Sequence, residues 1–78
     1  MKKIVLELLK LSKDANSSMF VSRLERLVTV RLAKEEKILQ GLYFIEYLER
    51  LKDEGYIYPN DNKSIYFITQ KGLDYLAE

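Results

Sequence analysis

Two short runs of β-branched and aromatic residues, Tyr56-Ile57-Tyr58 and Ile65-Tyr66-Phe67-Ile68, flank the segment Pro59-Asn60-Asp61-Asn62-Lys63-Ser64. Residues of the first kind fit a pleated, half-buried surface. Pro, Asn, Asp and Ser are the residues that let a backbone reverse. The combination predicts an antiparallel hairpin with a polar loop at its tip. The apolar runs before Gly55 and after Thr69 have a different, helical period. The chain must therefore place one small β element against helices.

Upstream, Ile4, Val5, Leu8, Leu9 and Leu11 recur with helical spacing over residues 3–12 and predict an amphipathic helix. Residues 12–18 are polar and rich in turn formers, which predicts a loop in which Asn16, Ser17 or Ser18 caps the next helix. A second helix is expected over 19–31, with Phe20, Leu24, Leu27 and Val28 on its inner face. Its β-branched end, Val28-Thr29-Val30, fits either a helix terminus or a short extended segment. The longest periodic segment covers 33–54, with Ile38, Leu42, Ile45, Leu48 and Leu51 at three- and four-residue steps. Gly41 lies inside it, so the segment is either one helix or a short helix at 33–39 and a main helix at 41–54. Gly55 follows as the expected left-handed residue ending that helix, and Thr69 as the cap of a last helix facing Leu73 and Leu76 or Tyr75 inward. The expected architecture is one domain over 1–78, mainly α with a small β-hairpin.

Composition narrows the chemistry. The chain has no cysteine and no histidine, which removes disulfides, thiolate nucleophiles, the commonest general base and the commonest metal ligands. Ser17 and Ser18 have no histidine partner, and no glycine-rich phosphate loop is present. A chain of 78 residues also encloses a pocket with difficulty. The expectation is a non-enzymatic protein with no catalytic residues, metal, cofactor or small-molecule substrate. No run approaches the roughly 18 apolar residues of a membrane span, and Glu7 and Lys10 interrupt the first apolar stretch, so a cytoplasmic protein without a membrane partner is expected.

Net charge is +1, but it is unevenly spread. Residues 1–40 hold nine basic and five acidic side chains, and residues 41–78 hold four and seven. A basic half suits a polyanion, although ordinary solvated faces account for the asymmetry equally well.

The stretch Leu48-Glu49-Arg50-Leu51-Lys52-Asp53-Glu54-Gly55-Tyr56-Ile57 resembles the end of a winged-helix recognition helix entering its first wing strand. Ile65-Tyr66-Phe67-Ile68-Thr69-Gln70-Lys71-Gly72-Leu73-Asp74-Tyr75-Leu76 resembles the second wing strand and following helix of that superfamily. A Tyr-x-Ile/Leu-Thr-x-Lys-Gly pattern of this kind is frequent in small transcriptional regulators of the MarR and PadR type. The resemblance covers residues 40–76 closely and 1–39 by order of elements. It implies a winged helix, that is, a three-helix core, a two-stranded wing and a C-terminal helix. It further implies a homodimeric transcriptional regulator that docks its long helix on duplex DNA. One departure stands out: Lys37-Ile38-Leu39-Gln40-Gly41-Leu42-Tyr43-Phe44 is more apolar and aromatic than a base-reading surface, and Glu35 and Glu36 would repel phosphate.

On that reading Lys34, Lys37, Gln40 and Tyr43, at three-residue steps near the start of the long helix, are candidate DNA contacts. Lysines would neutralise phosphates, and a glutamine can bond adenine through two hydrogen bonds. Arg31 joins them, and Asn62 and Lys63 at the hairpin tip would lie along the backbone or minor groove. Arg23, Arg26 and Arg31 suit phosphate by their planar donors or take part in intramolecular ion pairs. The alternative is a protein-interaction winged helix using Leu42, Tyr43, Phe44 and Tyr47. Apolar residues also exceed one helical stripe on the long segment, and Leu6, Leu9, Leu11, Leu73, Tyr75 and Leu76 add to them near the chain ends. This predicts a homodimer formed through the terminal helices or the outer face of the long helix.

Overall fold

The computed structural model describes residues 1–35 and 41–78, and of Gly41 and Leu42 the backbone alone. Among the described residues there are four helices and three strands, in the order α1 (Lys2–Asp14), β1 (Met19–Phe20), α2 (Val21–Lys34), α3 (Gly41–Asp53), β2 (Ile57–Pro59), β3 (Ile65–Ile68) and α4 (Gln70–Ala77). The molecule is mainly helical, with a small antiparallel sheet.

In α1, Val5, Leu6, Leu8 and Leu9 are buried, and Leu11, expected inside, is 61% exposed. The helix runs two residues past the expected boundary. Asn16 then adopts a left-handed φ of 54°, a conformation its short polar side chain tolerates. Buried Ser12 donates from Oγ to the Ser17 carbonyl at 2.8 Å, and the Ser17 N–H returns a bond to the Ser12 carbonyl at 3.0 Å. The loop is held by these bonds and does not cap α2. Instead the chain enters β1, and Phe20 stands at the N-cap with no side-chain bond. The Val21 N–H donates to the Ser64 carbonyl at 2.9 Å, so the hairpin satisfies a donor at the helix start.

The sheet has three strands where two were expected, in the order β1-β3-β2. Met19 pairs with Tyr66 and Phe20 with Ile65; on the other side Ile57, Tyr58 and Pro59 pair with Ile68, Phe67 and Tyr66. Met19, Ile57, Tyr66 and Ile68 face the core. Phe20, expected on the inner face of a helix, lies on the opposite face of the sheet and is 52% exposed. Pro59 sits on an edge strand, where its missing N–H costs no ladder bond.

Helix α2 continues through Val28-Thr29-Val30. Val28 is buried with Leu24 and Leu32, and Thr29 donates from Oγ1 to the Glu25 carbonyl one turn back at 2.7 Å. Ala33 and Lys34 are its last residues, so 33–54 is not one helix, and no separate helix starts at 33. Helix α3 begins at Gly41. Its inner stripe is Phe44, Leu48 and Leu51, all buried, with Tyr47 packed beside them; Ile45, expected inside, is 47% exposed. Ile38 lies outside the described residues.

The end of α3 follows the expectation. Gly55 has φ +86°, its N–H donates to the Lys52 carbonyl at 2.9 Å, and the Tyr56 N–H donates to the Leu51 carbonyl at 3.0 Å. This is the Schellman arrangement, which satisfies carbonyls the helix leaves over. Lys71 Nζ adds a bond to the Glu54 carbonyl at 2.6 Å, placing a cation at the negative end of the helix. Thr69 caps α4 by accepting from the Gly72 N–H at 3.2 Å, and it donates to the Gly55 carbonyl at 2.6 Å. One side chain thus ties the helix end to the start of α4. No helix among the described residues is long and apolar enough to cross a membrane.

Candidate nucleic-acid interface

The inner stripe of α2 fixes what its outer face presents. With Leu24, Val28 and Leu32 turned inward, residues 23, 26, 30 and 34 fall together on the far side, at the three- and four-residue steps of one helical face. They are Arg23, Arg26, Val30 and Lys34, all exposed. Glu25, between the arginines in sequence, lies half-buried on another side of the helix. No carboxylate interrupts the stripe. Among the described residues none of Arg23, Arg26, Arg31 and Lys34 forms an ion pair with another described residue. Their donors therefore face solvent, and Val30, 51% exposed, is the one apolar member of the stripe.

Arg31 is half-buried and shares a groove with Lys34, Met1, Lys3, Ile4, Glu7 and Glu35, between the start of α1 and the end of α2. The structure thus joins Arg31 and Lys34 on α2. It does not put Lys34 on the long helix: Lys34 is the last residue of α2, and Tyr43 belongs to α3. Tyr43 occupies the first turn of α3 and is 63% exposed. Lys37 and Gln40 lie outside the described residues. Further along α3, Glu46, Arg50 and Asp53 are exposed, so its outer face is mixed in sign.

The hairpin tip is built by its own polar side chains. Asn60 Oδ1 accepts from the N–H groups of Ser64 at 2.9 Å and Ile65 at 3.1 Å. Asn62 Oδ1 accepts from the Ser64 hydroxyl at 2.5 Å. Lys63 has a left-handed φ of 57°, and its Nζ lies 3.6 Å from Glu49 Oε1. Glu49 also accepts from Lys52 Nζ at 2.7 Å. The Lys52 hydrogen bond, aided by the charges of Lys52 and Lys63, holds the Glu49 carboxyl below its ordinary range, and the same bond pushes the Lys52 ammonium up. Burial raises the Tyr66 hydroxyl, with Glu49 adding to it. Asn62 therefore has a structural role in the turn, and Lys63 is tethered to α3 by a solvent-exposed pair of modest strength.

Two other lysines are engaged at the opposite end of the sheet. Lys2 Nζ lies 3.8 Å from the Tyr56 ring centre and 4.6 Å from that of Tyr75, and Lys71 Nζ lies 4.6 Å from the Tyr56 ring. The closeness of Tyr56 pushes the Lys2 ammonium up. Among the described residues the basic side chains of α2, like Lys3, Lys10 and Lys13 of α1 and Arg50 of α3, are without such partners, and those of α2 are the ones that form a stripe without carboxylates. Arg23 and Arg26 were readable from their spacing, but only the extension of α2 to Lys34 makes one stripe of three cations. The chain matches no protein-family model, no curated protein and no solved structure with which it was compared.

Proposed function

We propose that the chain is a winged-helix protein that binds duplex DNA and acts as a cytoplasmic transcriptional regulator without catalytic chemistry. The fold assignment is supported by the order α1-β1-α2-α3-β2-β3-α4, with β1 added to the hairpin as a third strand. The observation that carries the binding reading is the carboxylate-free outer stripe of α2. Arg23, Arg26 and Lys34 present exposed donors to one side, where they can neutralise successive phosphates. Tyr43 at the start of α3 can contact sugar or phosphate. The acidic residues along α3 and the tether on Lys63 make α2 the main electrostatic contact, with α3 and the hairpin contributing less.

Fluorescence anisotropy with random-sequence duplexes tests this. Binding is expected to weaken steeply with salt, and Arg23→Ala with Arg26→Ala to reduce the logarithmic salt slope by about 1.8, two phosphate contacts at roughly 0.9 each. Failure to bind any duplex in low-salt buffer, across a random-sequence selection, overturns the proposal. A protein-interaction winged helix is the second reading, favoured by the exposed ring of Tyr43 in the first turn of α3. It requires that Tyr43→Ala abolish a protein contact while DNA binding is absent.

A further inference from the structure

Helix α1 buries Val5, Leu6, Leu8 and Leu9 in its own core and turns a second stripe outward. That stripe is Lys3, Glu7, Lys10 and Asp14, at steps of four, three and four residues. Its charges alternate: plus, minus, plus, minus. Read from the other end, the order is minus, plus, minus, plus. In register, a helix with this pattern is complementary to its own reversed copy, whereas a parallel copy sets like charges opposite each other or leaves the end charges unpaired when shifted.

We propose that two chains associate through α1, packed antiparallel about a twofold axis passing between positions 8 and 9. Lys3 then stands opposite Asp14 of the partner subunit, and Glu7 opposite Lys10 of the partner subunit, with each pair repeated by the symmetry. A twofold contact of this kind presents one patch to itself, which is what a self-complementary stripe provides. Three features of the surface support the assignment. Lys3, Glu7, Lys10 and Asp14 line one groove of about 250 Å³ together with Leu11 and Leu76. Among the described residues, none of the four charges forms an ion pair with another described residue. Leu11 is 61% exposed, and Leu76 of α4 borders the stripe on the same side, so the apposition that pairs the charges also covers both leucines. The stripe carries no net charge, so it has no preference for a polyanion. The charge order sets orientation and partner choice more than affinity, and the covered leucines contribute the burial.

Sedimentation equilibrium at tens of micromolar tests the proposal, with two charge-uniform variants as probes. The unsubstituted chain is expected to show a mass approaching twice 9.2 kDa. Lys3→Glu with Lys10→Glu makes the stripe wholly acidic, and Glu7→Lys with Asp14→Lys makes it wholly basic. Each variant alone is expected to self-associate about tenfold more weakly or worse, since like charges then face each other. An equimolar mixture of the two is expected to recover a dimer containing one of each. Recovery by mixing cannot arise from unfolding, and circular dichroism of each variant alone checks the fold. A 9.2 kDa mass for the unsubstituted chain across the range, undiminished association of either variant alone, or a monomeric mixture overturns the proposal.

Discussion

Gly72→Ala sets two effects of opposite sign against each other. Gly72 is the third residue of α4, and alanine is favoured over glycine in a helix by up to about 1 kcal/mol. Helix propensity alone therefore makes the variant more stable. The packing argues the other way, because Gly72 is buried and a Cβ there would lie 2.6 Å from the Tyr56 carbonyl oxygen and 2.6 Å from Ile68 Cγ1. Neither neighbour can step aside easily. The Tyr56 carbonyl is held by the Thr69 N–H at 3.1 Å, and Ile68 is buried in register with Ile57. Forcing one extra carbon into a filled site costs about 1–3 kcal/mol. Subtracting the propensity gain leaves a net loss of up to about 2 kcal/mol. For a domain of this length that lowers Tm by up to roughly 16 °C. Urea unfolding followed by circular dichroism measures it, with an unchanged m-value showing that the shift in midpoint is a change in stability. A midpoint above that of the unsubstituted chain, as propensity alone gives, refutes the close approach of α4 to the Tyr56 carbonyl.

Three further outcomes follow from the same region and from the hairpin. Gly55→Val is expected to cost more than about 1 kcal/mol because φ is +86°, while Gly55→Asn costs less; space is not the issue, since a Cβ would meet only Lys71 Cδ at 3.6 Å. Thr69→Ala removes both the cap bond and the bond to Gly55, for a loss of about 1–2 kcal/mol in urea, and Thr69→Ser retains most of it. Glu49 titrates below its ordinary 4.5 in the folded chain, so its contribution is complete above that pH and is lost as pH falls through the lower folded value. Unfolding midpoints compared between neutral and acid pH are therefore expected to fall less for Glu49→Gln than for the unsubstituted chain.

Where one residue type has one physical use, the sequence was sufficient. Gly55 after an apolar-periodic run and Thr69 before another adopt the terminal geometries expected of them, and the polar cluster forms the hairpin loop over 60–64, with Pro59 drawn into β2. Strand β1 was not legible, because two residues cannot display alternation, and its pairing is specified by Ile65 and Tyr66 far along the chain. The boundary near position 34 was not legible for a related reason. Helical spacing continues across it, so residues 33 and 34 read as the start of the long segment when they are the end of α2. Placing Lys34 at the end of α2 rather than on the long helix is what the tertiary structure adds. The same limit affected Leu11, Phe20 and Ile45, whose spacing fits an inner face but which lie on the surface.

Net charge was the least useful guide to the candidate site, and screening explains why. The molecule measures 30 × 30 × 24 Å, whereas exposed charges are largely screened beyond about 8 Å at physiological salt. A docking partner therefore senses one face at a time, and a total of +1 describes no face. The outer stripe of α1 is neutral and alternating, that of α2 carries three cations and no carboxylate, and the outer face of α3 is mixed. Lys63 and Lys52 close locally on Glu49, and Lys2 and Lys71 sit over the rings of Tyr56 and Tyr75. Removing these engaged lysines from the count leaves most of the unengaged positive charge on α1 and α2. On the outer stripe of α1 it alternates with carboxylates; on that of α2 three cations stand without one, and that is the face the DNA-binding proposal rests on.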